Sequence, residues 1–339
     1  MERYVLVYGA YGHTGRFVVA ELLRRGLTPI LSGRDPSRLG HLAAQFPGLE
    51  VRQATVDDGE SLANAVRGTG LVVNCAGPFL DTAVPVAAAA VRAGAHYLDV
   101  TAEQAAAQQV YRAHEELGWR SDVAVIPAMA FYGGLADLLA TTAMVGWEDA
   151  DEITVAIGLD RWWPTEGTRS TGRRNTATRL VVNGGRLVPL PSPAPARDWD
   201  FPAPLDRQMV TGMPFTEIIT MARHLAASSI GTYLSTVALE DIKNSATPAP
   251  QAVDEEGRSA QQFVVDVVVR RGARERRISA AGRDIYAVTA PLIAEAAWRL
   301  MDGRGKVQGA AAPGEVFDAA DFLDALSPRH LTLRRETSG

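Results

Sequence analysis

The chain has almost no lysine. Lys243 and Lys306 are the only two, and the rest of its basic charge is arginine. That bias carries no function by itself. It has one cysteine, Cys75, which excludes an internal disulfide and argues against a cysteine-ligated metal site. No apolar run approaches the roughly 20 residues of a membrane span. A net charge of −5 gives no ground for a general nucleic-acid role. No internal repeat or coiled-coil heptad is visible. An apolar content of 47% with 22% charged residues is ordinary for a globular enzyme. A first strand starting at Tyr4 leaves no room for a signal peptide, so the expectation is a cytoplasmic protein.

What is present begins at residue 5. Val5-Leu6-Val7-Tyr8 is an apolar, β-prone run that ends in Gly9, Gly12 and Gly15, and a helical pattern starts at once. Gly9 lets the chain turn sharply off the strand, Gly12 lets it approach a pyrophosphate, and Gly15 lets the new helix pack close to the sheet. Alone this spacing is weak, because plain strand-to-helix turns share it. A second strand over 28–31 is followed by Ser32-Gly33-Arg34-Asp35-Pro36-Ser37-Arg38. An acidic residue ending that strand would grip a ribose 2′-hydroxyl. Ser32, Arg34 and Arg38 suit a 2′-phosphate instead, because arginine's planar donors bind two oxygens at once. The expected cofactor is therefore NADP(H), although Asp35 keeps NAD open. The competing reading makes the two arginines solvated and Asp35 a helix cap.

Strand and helix alternate to about residue 128. Strands are expected at 51–55, 71–75, 97–100 and 123–127, and helices at 61–67, 84–93 and 103–117. This predicts an α/β fold with an N-terminal Rossmann doubly wound parallel sheet. Beyond residue 150 the pattern becomes α+β. Segments 152–159, 179–182 and 262–270 read as antiparallel strands with one wet face, 188–204 as a proline-rich exposed loop, and 215–225 and 285–301 as helices. The expected division is a dinucleotide-binding domain over 1–130, an α+β substrate and dimerisation domain over 131–282, and C-terminal helices over 283–339 that pack back on the first domain.

Ligands of such sheets sit beyond the carboxyl ends of the strands. The candidates there, besides the glycine turn with Tyr11, His13 and Thr14, are Asp57, Asn74, Cys75, Ala76, Gly77, Pro78 and Asp99. Asp57 is a candidate for the adenine amino group or, equally, a helix cap. Asn74 to Pro78 is small enough for a nicotinamide ribose to lie on its backbone, with Cys75 as a small buried hydrophobe. Asp99 and Thr101 end a strand on the same rim. Asp99 is carried as a cofactor residue and Thr101 as a cap. His13 is expected near phosphate.

The chain resembles the saccharopine dehydrogenase-like reductases, a group that includes trans-acting enoyl reductases. The residues that carry the likeness are Gly9 to Gly15, Ser32-Gly33-Arg34, Asn74 to Pro78, and Tyr97-Leu98-Asp99-Val100-Thr101-Ala102-Glu103. Pro127 to Asp137 and Tyr286-Ala287-Val288-Thr289-Ala290 extend it. The resemblance implies an NADP-binding Rossmann domain, a substrate domain on a mixed sheet, and a homodimer. It does not fix the substrate. The family's glycine- and serine-rich stretch after the last Rossmann strand is here Ala-Met-Ala-Phe-Tyr-Gly-Gly.

Hydride transfer to C=N, C=O or C=C needs an acid or charge stabiliser nearby. Neither lysine has a tyrosine four residues before it, which removes the Tyr-x-x-x-Lys pair of short-chain dehydrogenases. Tyr132 and His224 are the candidates, against readings as a junction aromatic and a half-buried helix histidine. Arg161, Arg169, Arg173, Arg174, Arg179 and Arg186 cluster near Trp162 and Trp163. That patch reads as a binding site for an anionic substrate group, a solvated loop or a dimer contact. Two functions remain. One is an NADPH-dependent oxidoreductase acting on a small or carrier-linked substrate. The other is an NmrA-like NADP-binding sensor without turnover. A substantial second domain favours the enzyme.

Overall fold

The computed structural model describes residues 3–120, 122–306 and 309–338. Short apolar runs buried on both faces build the first sheet, as parallel strands require. They are β1 (Tyr4–Tyr8), β2 (Thr28–Gly33), β3 (Val51–Gln53), β4 (Leu71–Asn74), β5 (His96–Asp99) and β6 (Ala124–Ile126), joined from far along the chain by β15 (Gly309–Ala310). Their order is β15-β6-β5-β4-β1-β2-β3, and every pairing is parallel. Between the strands lie α1 (His13–Arg24), α2 (Pro36–Gln45), α3 (Gly59–Val66), α4 (Phe79–Arg92) and α5 (Gln104–Leu117). The chain winds outward from β1 in both directions, so β1 and β4 flank the switch point where a ligand crevice opens.

Helix α4 begins at Phe79 and carries Pro85 in its interior, earlier than the sequence pattern suggests. The reason is tertiary. Glu103, from the loop before α5, accepts the Phe79 N–H at 2.9 Å and so satisfies a first-turn amide that no neighbouring residue caps.

A kinked turn over Phe131–Leu135, with Gly133 at φ +117°, leads into α6 (Ala136–Ala143) and the second sheet. Its strands are β7 (Ala150–Leu159), β8 (Leu180–Asn183), β9 (Arg186–Pro189), β10 (Ala196–Asp200), β11 (Arg207–Gly212), β12 (Ala227–Ser235), β13 (Gln262–Arg271), β14 (Arg274–Arg283) and β16 (Thr332–Ser338). The order is β10-β11-β12-β7-β13-β14-β16, with β8 and β9 forming a side hairpin on β12. The sheet is mixed: β7 runs parallel to β12 and antiparallel to β13. The remaining helices are α7 (Glu166–Arg174), α8 (Glu217–His224), α9 (Thr236–Lys243), α10 (Thr289–Met301), α11 (Pro313–Val316) and α12 (Ala319–Leu326).

Three expectations for this half are corrected. The central strands β7 and β13 have no wet face over most of their length. α6 packs on one side of β13, and Phe201 and Leu205 close the other face of the sheet. The proline-rich stretch is not a plain loop but contributes β9 and β10. Both are edge strands, pairing on one side only, and Pro189 and Pro195 lie at or just outside their ends, where no ladder donor is missed. The C-terminal segment is not helical throughout: β15 extends the first sheet and β16 the second.

One hydrophobic cluster runs from β1 and α1 through Phe131 and α6 to β7, β13, α10 and α12. Ion pairs tie α10 to α1. Arg25 holds Glu21 at 3.1 Å and also pairs with Glu295, and Glu295 holds Arg299 at 2.6 Å.

Candidate functional site

A cavity of about 650 Å³ opens at the switch point and extends between the two sheets. One end is built almost entirely from backbone. Gly9 has φ +84°, and its N–H and that of Ala10 donate to the Ser32 carbonyl at 2.8 and 3.1 Å. A Cβ on Gly9 would lie 2.8 Å from the Ala76 nitrogen, and one on Gly15 would lie 2.3 Å from the Gly9 carbonyl oxygen. Both positions therefore exclude a side chain, Gly9 for the close approach of two loops and Gly15 for the packing of α1 beneath the turn. Gly12 stands at the start of α1, where no side chain caps the helix. Its first amides and the positive end of its dipole are open, beside Gly12, His13 and Thr14 on the cavity wall.

At the end of β2, Arg34 and Arg38 line the same cavity. Both are exposed, and among the described residues neither forms an ion pair. Asp35 does cap α2, accepting the Arg38 N–H at 3.1 Å. The Tyr11 ring lies against Gly33, where a Cβ would come within 2.7 Å of it, and the Arg38 guanidinium sits over that ring at 4.4 Å. The neighbouring acids divide their work. Asp58 caps α3 through the Glu60 and Ser61 amides, which leaves Asp57 on the cavity wall.

Cys75, Ala76 and Gly77 also face the cavity, and burial pushes the Cys75 thiol well above its usual pKa, so it is no nucleophile. Ser32, Gly15, Asn74, Pro78 and Asp99 do not line it; they sit behind the wall. Asn74 accepts the Ala76 N–H at 3.0 Å and donates to Thr82 and Tyr97, which fixes the turn. Asp99 is fully buried and accepts from the Ala128 and Thr101 amides at 2.8 and 3.0 Å and from the Tyr97 hydroxyl at 2.9 Å. Burial lifts its pKa to about 6. Its place is that of a brace for three loops.

The far end is built from side chains. Tyr132 stacks on Phe215 with centroids 4.1 Å apart, and Trp162 lies 5.5 Å from it. The Tyr132 hydroxyl is buried and has no hydrogen-bond partner, and burial holds its pKa well above the usual value. Arg179 donates to the Pro214 carbonyl at 2.7 Å and lies 5.3 Å from the Phe215 ring. Tyr286 joins this end to the glycine turn. Its hydroxyl receives the Trp162 indole N–H at 2.9 Å and bonds Thr168 at 2.9 Å, while its ring meets His13 edge-on at 5.3 Å. Burial lowers the His13 pKa, so the ring is neutral near pH 7. Glu103, with one carboxylate oxygen unpartnered, lies on the same wall.

His224 is elsewhere. Its Nε2 pairs with buried Asp137 at 3.1 Å, and Asp137 also takes the Gly314 N–H at 2.7 Å, which ties α8, α6 and α11 together. That carboxylate raises the His224 pKa against the effect of burial. His224 is a structural histidine outside the cavity. The arginine cluster is likewise dispersed. Arg174 pairs with Asp81 at 2.6 Å, Arg161 with Asp160 at 3.5 Å, and Arg169 donates to the carbonyls of Ile242, Asn244 and Thr247. Of the six, Arg179 faces the cavity. The roles of Arg179, Tyr286 and Glu103 escape a sequence reading, because their neighbours come from distant segments. Tyr286 and Glu103 did stand inside blocks singled out there.

The fold and this rim define a Rossmann-type dinucleotide-binding unit joined to a mixed-sheet unit. Comparison agrees: residues 5–122 match the family model of the saccharopine dehydrogenase NADP binding domain. A protein of Arabidopsis thaliana described as "probable mitochondrial saccharopine dehydrogenase-like oxidoreductase" is 33% identical over 114 residues, covering 29% of this chain and 25% of that one. A lipid droplet localized protein of Caenorhabditis elegans is 31% identical over 151 residues, covering 41% of this chain and 35% of that one. The chain thus matches only about a quarter to a third of these relatives' length. Apo saccharopine dehydrogenase (L-Glu forming) from Saccharomyces cerevisiae superposes over 99% of this chain and 100% of its own with a TM-score of 0.69 at 13% identity, a likeness of fold. No helix among the described residues is long and apolar enough to cross a membrane.

Proposed function

We propose that this protein is an NADPH-dependent oxidoreductase that moves a hydride to or from a C=N, C=C or C=O bond of a small or carrier-linked metabolite. One observation carries the reading. The glycine turn, the uncapped start of α1 and the unpaired Arg34 and Arg38 open on a continuous cavity that runs on to Tyr132, whose buried hydroxyl has no partner. The residues fit a phosphorylated dinucleotide. The amides of α1 would receive the diphosphate. Arg34 and Arg38 would hold the 2′-phosphate. Asp57, released from capping, would meet the adenine amino group. When bound, the dihydronicotinamide supplies the hydride.

The chain's own part is electrostatic and steric. Burial keeps Tyr132 protonated, so its O–H donates a hydrogen bond to the substrate heteroatom where negative charge grows. Phe215, Trp162 and Phe131 exclude water around it. The second sheet brings an aromatic wall of its own onto the same cavity, and that favours the enzyme over a sensor without turnover.

Fluorescence titration with NADPH and NADH tests the cofactor half. Arg34→Ala is expected to weaken NADPH binding by about 1–3 kcal/mol and leave NADH nearly unchanged. Equal losses for both would remove the 2′-phosphate assignment. NADPH consumption in the presence of a panel of imines, enones and ketones tests turnover.

A further inference from the structure

We infer that the substrate end of the cavity is built for an organic monoanion with a flat apolar body, its carboxylate held by Arg179 and its unsaturated or aromatic part laid along Tyr132, Phe215 and Trp162. The inference rests on the oxidoreductase reading for the cavity's other end, and it names the substrate class.

Arg179 is the observation that carries it. A guanidinium withdrawn from water is normally paired, because an unmatched charge in an apolar wall is costly. Arg179 is half-buried, yet its hydrogen bond is to a neutral carbonyl, that of Pro214, and among the described residues no carboxylate comes within ion-pair distance. Glu217 is the acid that acts on it electrostatically, but one of its oxygens is committed to the Phe215 N–H at 2.9 Å, and burial holds this carboxyl toward its neutral form. Of the other arginines of the same stretch, Arg161 and Arg174 pair with carboxylates, and Arg169, which does not line the cavity, is spent on three carbonyls.

The placement of Arg179 is built in. The buried carboxamide of Gln104 donates to the carbonyls of Leu180 and Phe215, each at 2.9 Å, and accepts the Leu180 N–H at 2.8 Å. One side chain thus locks the backbone beside Arg179 to the backbone of the ring it overlies. A preorganised fork of this kind favours a planar carboxylate. The body of the ligand follows from the walls. Tyr132 and Phe215 are tilted 29° to each other, and Trp162 is tilted 35° to Tyr132, so the three make a layered apolar face.

The test uses the full chain saturated with NADP⁺, with trans-cinnamate and cinnamamide as probes read by calorimetry. Cinnamate is expected to bind about ten- to a hundred-fold more tightly than the amide. Arg179→Met should remove that preference and leave amide and NADP⁺ affinity unchanged, while Arg179→Lys should keep part of it. If Arg179→Met does not fold, the lysine variant decides, since a selective loss for the acid is still expected. Equal affinities for acid and amide, binding of neither, or an Arg179→Met protein that still prefers the acid overturns the inference. A wild-type chain that binds no NADP⁺ or NADPH defeats the oxidoreductase reading instead; the probes are then compared on the free protein, where the same preference is expected.

Discussion

The two ends of the cavity are made by different means. The glycine end is backbone: a turn at Gly9, an uncapped helix, and loops so close that Gly9 and Gly15 have no space for a methyl group. Within it, one element of about a dozen residues sets nearly all the geometry. The aromatic end is side chain: Tyr132, Trp162, Phe215, Arg179 and Tyr286 arrive from five separated segments and meet only when the second sheet has formed. A backbone site admits few substitutions and serves one kind of ligand. A side-chain site changes its ligand by single replacements while the frame stands. The same cofactor grip can therefore serve many chemistries, with specificity written where the chain is free to vary.

That contrast can be broken or sharpened by mutation. The largest effect is expected at the backbone end. Gly9→Ala forces a side chain into positive φ against Ala76, and denaturant titration should show a loss of about 2–5 kcal/mol. A mild effect there would mean that the turn is not the rigid element described. Behind the wall, Asp99 has a pKa raised to about 6, so its protonated form suits the folded state. Its contribution is present below about pH 4 and is lost as pH rises through about 6. Asp99→Asn should remove that loss, worth roughly 3 kcal/mol, when stability is followed against pH.

At the aromatic end the effects should fall on rate. Tyr132→Phe is expected to lower kcat by about a hundred-fold on the fastest panel substrate and leave NADPH affinity and melting temperature alone. Unchanged turnover would take the hydroxyl out of the chemistry. The smallest effect belongs to neither end. His224→Gln should cost about 0.5–1.5 kcal/mol of stability with no change in NADPH binding. The partnership with Asp137 raises the His224 pKa, so its stabilisation is present below pH 6.5 and fades as pH rises through the folded-state value. The glutamine variant should lack that fade.

The same division explains what could be read in advance. The parallel sheet and the glycine turn were legible because both are local: apolar runs for buried strands, and glycines wherever φ or contact forbids a side chain. Arg34 and Arg38 were legible for the same reason, one loop away. Asn74 and Asp99, expected to touch the cofactor, do not line the cavity and brace loops behind it, because a sequence does not say whether a polar side chain points at a ligand or at a neighbouring loop. His224 failed because its partner, Asp137, lies 87 residues back and draws the ring away from the cavity. Strands β9 and β10 were hidden by prolines, which an edge tolerates and a central strand does not. Arg179 could be seen only as one of six arginines, since its lack of an ion-paired carboxylate among the described residues is a property of the folded chain.

The route of the chain has one more consequence. It leaves the first sheet after β6, builds the second through β14, returns for β15 and leaves again for β16, which makes three crossings. Two bodies sewn together that often, with α10 bolted to α1 by charge, cannot swing apart like jaws on one hinge. Entry to the interior must then be a local affair. Helix α7 lines the cavity and buries no residue of its own; what fastens it there is polar, the Thr168–Tyr286 contact, the carbonyls that take Arg169 and the Arg174–Asp81 pair.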